Sequence, residues 1–85
     1  MSEESVTYYA ITGGGKTVDE PRGIVRRRKP ADGGILDEAL HRDLGWHRTG
    51  IIAEWKRGKF ARELEEVSEE KALEIIETLR AGGPY

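Results

Sequence analysis

The run Arg26-Arg27-Arg28-Lys29 is the feature of the sequence that most directly indicates chemistry, because four adjacent cations attract anionic partners. Successive side chains of a strand point to opposite faces, so Arg26 and Arg28 should share one face of a sheet. Sheets that bind nucleic acid combine such cations with exposed aromatic rings, on which bases stack. The candidate binding face consists of these residues: Tyr8, Tyr9, Arg26, Arg28 and Arg42.

A structural interpretation competes with this binding face. The arginines would then protect an edge strand and form ion pairs with Asp37, Glu38 or the acidic C-terminal helix. The sequence pI of 5.7 is also far from the basic value that is usual for dedicated nucleic-acid modules. A protein partner is the third interpretation of the same cations.

The segment Gly13-Gly14-Gly15-Lys16-Thr17 follows a predicted strand and ends like a phosphate-binding loop. A Walker loop needs another glycine five positions before the glycine of its Gly-Lys pair, and a helix after it. That position is Ala10, and the residues after Thr17 lead to Pro21 without a helix start. The segment is therefore predicted to be a flexible hairpin loop.

His41 and His47 are the two histidines of the chain. They are six residues apart, which does not give the i, i+4 pair of a zinc-binding helix, but on one strand both rings would share a face. A metal or acid–base site with Asp37 or Asp43 is the functional interpretation, and two solvent-facing histidines are the simpler one. The chain has no cysteine to complete a metal shell, so we expect neither a metal nor a cofactor.

Nucleophilic catalysis is not indicated by the serines. None of Ser2, Ser5 and Ser68 stands in a Gly-x-Ser-x-Gly turn. A chain of 85 residues also has little volume in which to bury a pocket that would shift pKa values. The sequence therefore favours a protein that is not an enzyme.

Composition predicts one small domain that comprises residues 1–85. Hydrophobic residues make up 36% of the chain and charged residues 35%, which is typical of a globule with a thin core. The absence of cysteine favours a reducing compartment, and the acidic start does not resemble a signal peptide. No stretch approaches the roughly 20 apolar residues of a membrane span. We expect a cytoplasmic protein without membrane contact, with flexible ends at residues 1–5 and 82–85.

Charge is distributed unevenly along the chain. Residues 1–62 contain twelve Lys and Arg against nine Asp and Glu, a net charge of +3. Residues 63–85 contain two against seven, a net charge of −5. The basic part is expected either to bind an anionic partner or to be covered by the acidic part of the same molecule.

Strands are predicted over residues 6–12 and 23–29, where β-branched and aromatic residues are frequent. Proline and glycines at residues 30–34 provide the turn after the second strand. Residues 35–46 are ambiguous. The leucines of this segment have helical spacing, whereas an extended chain would align Leu40, Leu44 and Trp46 on one face.

Four motifs cover much of the chain: Gly23-Ile24-Val25-Arg26-Arg27-Arg28, Asp37-Glu38-Ala39-Leu40, Arg42-Asp43-Leu44 and Trp46-His47-Arg48-Thr49. Together with an aromatic first strand and an acidic closing helix, this pattern resembles a group of small actinobacterial proteins that has no assigned activity. In that group the Asp-Glu to Trp segment is extended, so the resemblance implies a bacterial protein with a third strand over residues 38–46. It implies no functional residue.

Two helices complete the prediction. Thr49 is placed to cap a helix over residues 50–57, which Gly58 would end. Ser68 is placed to cap a second helix over residues 69–81, whose apolar residues recur at helical spacing.

The predicted fold is α+β, with a three-stranded antiparallel sheet packed against two helices in the order β-β-β-α-α. A short fourth strand at residues 64–67 is the alternative. The predicted core contains these residues: Ile11, Val25, Leu40, Leu44, Trp46, Ile52, Trp55, Leu64, Ile76 and Leu79. The predicted function is a non-catalytic binding or accessory module for a protein partner or for itself. Nucleic-acid binding through the candidate face is the second hypothesis, and a histidine-dependent metal or hydrolytic site is the third.

Overall fold

The computed structural model describes residues 4–41 and 43–81. Five strands and two helices follow one another in this part of the chain: β1 (Ser5–Thr12), β2 (Gly23–Lys29), β3 (Leu36–Leu40), β4 (Trp46–Arg48), α1 (Ile51–Lys56), β5 (Glu63–Val67) and α2 (Glu69–Arg80). The strands form one antiparallel sheet in the order β4-β3-β2-β1-β5. The α+β class agrees with the prediction, but the prediction of a sheet with three strands was wrong.

The predicted strand over residues 38–46 is a hairpin of two strands, β3 and β4. The His41 N–H donates to the Gly45 carbonyl oxygen at 3.0 Å, and the Leu44 N–H donates to the His41 carbonyl oxygen at 2.9 Å. Leu44 has a φ of 61°, in the left-handed region, and the Asp43 carboxylate accepts a hydrogen bond from the Gly45 N–H at 2.8 Å. An aspartate two residues before a glycine is turn chemistry, and it reverses the chain between two extended segments.

The strand considered as an alternative at residues 64–67 is present as β5. It joins the sheet beside β1, with Thr12 opposite Glu63 and Tyr8 opposite Val67. Leu64 is buried and Val67 packs against the core, so this strand places one apolar side chain on each face of the sheet. β5 is therefore an edge strand that contributes to both sides of the core.

The two helices cover opposite faces of the sheet. On the α1 face, Ile52 packs in one cluster with sheet residues that include Val25 and Leu64. On the α2 face, Ile75 packs in a second cluster with sheet residues that include Ile24. Ile24 and Val25 are adjacent in β2 and both have no exposed surface, because the sheet is covered on both sides.

The helix termini agree closely with the predicted ones. The Ser68 hydroxyl accepts a hydrogen bond from the Lys71 N–H at 3.1 Å and so caps α2. The Thr49 hydroxyl accepts one from the Ile51 N–H at 3.3 Å, although Gly50 takes the cap position of α1. Gly58, with a φ of 74°, follows the last turn of α1.

Most of the predicted core is present. Buried residues of the predicted set are Val25, Leu40, Ile52 and Leu64. Partly buried residues that pack against them are Ile11, Trp46, Trp55, Ile76 and Leu79. Leu44 is 40% exposed, because it lies in the turn between β3 and β4. Its assignment to the core was wrong.

No helix in the described part of the chain is long and apolar enough to cross a membrane. Of the predicted flexible ends, residues 1–3 and 82–85 lie outside the described residues. Ser5 begins β1, and Glu4 forms an ion pair with Arg28.

Candidate functional site

The candidate face is divided between the two sides of the sheet. Arg26 lies opposite Tyr8, and Arg28 opposite Val6, so Tyr8 and both arginines share the α2 face. Tyr9 lies on the α1 face, where it is only 9% exposed and its ring centroid is 5.9 Å from that of Trp55. Arg42 lies outside the described residues. The structure therefore brings three of the five predicted residues together.

The Arg26 guanidinium is held on two sides. Its Nε donates to a Glu38 carboxylate oxygen at 2.9 Å, and its Cζ lies 4.0 Å from the centroid of the Trp46 ring. The Trp46 ring in turn is 6.3 Å from the ring of Tyr8. An ion pair and a cation–π contact together leave this side chain 19% exposed, so little of its charge faces solvent.

The next two arginines are paired as well. Arg27 donates two hydrogen bonds to the Asp37 carboxylate, at 2.8 and 2.9 Å, and this bidentate contact raises the pKa of Arg27. Arg28 donates two hydrogen bonds to Glu4, at 2.8 and 3.1 Å, which lower the pKa of Glu4. Each guanidinium of the run thus has a carboxylate partner.

Arg26 and Arg27 have the partners that the structural interpretation predicts, whereas Arg28 pairs with Glu4, and the predicted edge position of the strand was wrong. β2 is the central strand of the sheet rather than an edge. Arg26 lies directly opposite Glu38, and Arg27 directly opposite Asp37, in the pairing of β2 with β3. Opposite charges at facing positions stabilise one alignment of two strands, so the pairs fix the register of β3.

The two histidines meet at the turn between β3 and β4. Their rings stack with centroids 4.2 Å apart, and the His47 Nε2 lies 3.1 Å from an Asp43 carboxylate oxygen. The Gly45 N–H, and then the His47 ring, hold the pKa of Asp43 below its ordinary value. Among the described residues, no three His, Asp or Glu side chains are placed to hold a metal ion.

The glycine-rich segment is a tight turn. The Lys16 N–H donates to the Gly13 carbonyl oxygen at 3.1 Å, and three consecutive glycines have positive φ. The Thr17 hydroxyl then accepts hydrogen bonds from the Asp19 and Glu20 N–H groups, each at 3.3 Å. The turn is followed by bends and by β2 rather than by the helix of a phosphate-binding loop.

A cluster of cations lies at the end of the sheet where β1 ends and where β2 and β5 begin. Ile11 pairs with Gly23 and Thr12 with Glu63, so the residues next to these pairs meet at the same end. We call the following residues the basic end: Lys16, Arg22, Lys56, Arg57, Lys59 and Arg62. None of their side chains forms an ion pair within the described residues.

The second notable surface is the free side of β5, which we call the β5 edge and which comprises Glu63–Val67. β5 pairs with β1 alone, so no described strand pairs with its other side. Its three glutamates, Glu63, Glu65 and Glu66, are exposed and have no ion pair among the residues that the structure describes.

A cavity of about 260 Å³ lies between the loop at residues 19–21 and α2. Its lining residues are Asp19, Glu20, Pro21, Ile75, Thr78 and Leu79. The Asp19 carboxylate is paired with the Lys71 ammonium, and the Thr78 hydroxyl donates to the Glu74 carbonyl oxygen. The cavity is smaller than most ligand pockets, and its lining holds no pair of a nucleophile and a base.

Sequence reasoning missed the basic end, although part of it has a simple signal. Residues 56–62 contain four cations and no acid, which is as many cations as in the run at residues 26–29. Lys16 and Arg22 join them only through the pairing of β1 with β2 and β5, which the sequence does not display.

The fold of the described residues is a five-stranded antiparallel sheet between two helices. No family model, no curated protein and no solved structure matches the chain.

Proposed function

We propose that the chain is a non-catalytic module that binds a protein partner by accepting an extended segment of it along the β5 edge. The observation that carries the proposal is that β5 is a regular strand of five residues and that no other described strand pairs with one of its sides. Free backbone N–H and C=O groups on an edge bind another strand by continuing the sheet. The opposite edge, β4, has only three residues and offers a shorter template.

The negative charge of the β5 edge determines which side chains the bound segment should carry. Glu63 and Glu65 point to the α2 face and Glu66 to the α1 face, so acidic side chains flank an added strand on both sides. A partner segment with Lys or Arg at several positions would complement them, because opposite charges at facing positions are favourable. The bound segment is therefore a basic, extended one.

The same charges disfavour pairing of this edge with a second copy of the chain. Two antiparallel β5 strands would place glutamates of one copy beside glutamates of the other. Like charges at facing positions destabilise strand pairing. We therefore propose a different protein as the partner rather than self-association through β5.

A labelled ten-residue peptide with lysine at alternate positions and no proline tests this function by fluorescence anisotropy. We expect saturable binding that weakens about tenfold or more in a Glu65→Lys/Glu66→Lys variant, because it places like charges across the edge. Glu74→Lys/Glu77→Lys, which has the same charge change on exposed α2 positions, is the control and should bind nearly as well as the parent.

A second peptide separates strand pairing from simple charge attraction. Methylation of alternate backbone nitrogens keeps the lysines but removes the N–H groups that would donate to β5. We expect this peptide to lose binding. If it binds as tightly as the unmethylated peptide, the β5 edge does not pair with a strand and the proposed function is wrong.

A further inference from the structure

The basic end is assembled from three separate parts of the chain. Lys16 comes from the turn after β1, Arg22 precedes β2, and the other four cations lie between the last turn of α1 and the start of β5. Gly13 lies close to Arg62, since a β-carbon on Gly13 would be 3.8 Å from the Arg62 Cα. The loop 57–62 is short enough to keep its cations within about 20 Å of Glu63. Hence Lys16, Arg22 and Arg62 lie together at this end, and the other three cations are on the short segment that leads into it.

The Arg22 guanidinium is packed against the glycine turn. Its Nη2 atom lies 2.8 Å from the position that a β-carbon on Gly14 would take, so the guanidinium lies directly over the turn. Gly14 also has a φ of 59°, which favours glycine. The turn therefore holds a cation at the surface without giving it a carboxylate partner among the described residues.

Few acidic residues lie close enough to the basic end to neutralise its charge. Residues 13–16 and 56–62 contain none, and Asp19, in the loop before Arg22, is paired with Lys71. Glu20 and Glu54 lie at its margin in the sequence, and one acidic side chain lies beside it: the Glu63 Cγ would be 3.8 Å from a β-carbon on Gly13. The field of exposed charges decays over about 8–10 Å at physiological salt. The net charge of −2 for the whole chain therefore does not determine the potential at this end.

The basic end lacks the apolar centre of a protein–protein interface. The large hydrophobic residues that are exposed in the described chain are Ile35, Leu44 and Leu73, and none belongs to the basic end. Phe60, in the middle of the loop, packs against the core of the α1 face. A surface of unpaired Lys and Arg without apolar or aromatic contacts suits a phosphate backbone better than a folded protein.

We propose that the basic end binds the phosphate backbone of a nucleic-acid duplex, without reading its bases. This inference is independent of the β5 edge and goes beyond the proposed function. Since the basic end has no exposed aromatic ring for base stacking, a duplex binds at least as tightly as a single strand of the same length. Arg26, Arg27 and Arg28 take no part, because their guanidiniums are already in ion pairs.

Binding of a labelled 20-base-pair DNA duplex across a salt series tests the inference. If five of the six cations contact phosphates, the slope of log K against log salt should be about −4 to −5. The Lys59→Ala/Arg62→Ala variant should reduce that slope by about 2 and lower the affinity at 0.1 M salt by a factor of about 50. Circular dichroism would establish that the variant is folded.

The matched control is Lys29→Ala/Arg48→Ala, which removes two exposed cations away from the basic end. This variant should retain the parent's affinity and slope. Equal losses in both double variants, or no binding of duplex at 50 mM salt, would overturn the inference. Tighter binding of polyglutamate than of duplex would overturn it too, in favour of an acidic protein. None of these outcomes depends on peptide binding at the β5 edge.

Discussion

Replacement of Ile24 with alanine should lower the free energy of unfolding by about 3 kcal/mol. Ile24 has no exposed surface and lies in the central strand, on the face that α2 covers. The substitution removes three side-chain carbons and leaves a cavity that the sheet cannot close, because β2 is paired on both sides. In a domain of this size, such a loss shifts the melting temperature by about 12–24 °C.

Urea unfolding followed by tryptophan fluorescence measures this change, and Ile35→Ala is the control with the same chemistry. Ile35 is 52% exposed, so its replacement should change the free energy of unfolding by no more than about 0.5 kcal/mol. Equal effects of the two substitutions would mean that α2 does not cover the sheet at Ile24.

Replacement of Asp37 with alanine should lower the free energy of unfolding by about 2 kcal/mol, although Asp37 is a charged residue outside the apolar core. Its carboxylate accepts two hydrogen bonds from Arg27, and the two side chains are only 12% and 16% exposed. Without the carboxylate, the Arg27 guanidinium is left largely out of water and unpaired. The loss should be visible as a lower urea midpoint with an unchanged slope.

A second change at Arg27 identifies the cause of that loss. The Asp37→Ala/Arg27→Leu variant removes the unpaired charge as well, and we expect it to recover most of the stability of the parent. The exposed Arg28–Glu4 pair provides the comparison, and Glu4→Ala should leave the urea midpoint nearly unchanged. If the double variant is less stable than Asp37→Ala alone, the unpaired Arg27 charge is not the cause of the lost stability.

The sequence predicted the elements whose local chemistry is unambiguous. Ser68 and the apolar spacing after it predicted α2 to within one residue at its C-terminal end. The composition of residues 6–12 and 23–29 predicted β1 and β2 almost to their bounds. The adjacent apolar pair in β2 was also a signal that both faces of the sheet are covered, since a sheet with one wet face alternates apolar and polar residues.

The region from residue 35 to residue 46 was mispredicted for a physical reason. Its leucine spacing fits a helix and its alternation fits a strand, but neither periodicity detects a reversal of the chain. The reversal depends on the Asp43 carboxylate and on a left-handed Leu44, a conformation that a leucine rarely takes. Leu44 was therefore assigned to the core, although it lies in the turn.

The candidate site was predicted least well, because a row of charges does not reveal which charges are neutralised by neighbours. Arg26 and Arg27 carry the same charge as Lys59 and Arg62, but only the register of β2 with β3 gives the first two carboxylate partners. The prediction from the sequence therefore selected arginines whose ion pairs stabilise the sheet. Lys16, Arg22 and Arg62, which have no ion pair among the described residues, are brought together where β1, β2 and β5 meet.

We propose that a basic peptide binds at the β5 edge and a duplex at the basic end, while the arginines of β2 remain in their ion pairs. The most direct measurement is a ¹⁵N-edited NMR titration that follows backbone amides and arginine Nε–H groups as basic peptide, and then duplex, is added. We predict peptide-induced shifts along Glu63–Val67 and duplex-induced shifts at residues 13–16, 22 and 56–62, with the Nε–H resonances of Arg26 and Arg27 unchanged. Shifts of those two Nε–H resonances on addition of duplex, with the basic end unaffected, would show that the duplex binds the arginines of β2 instead.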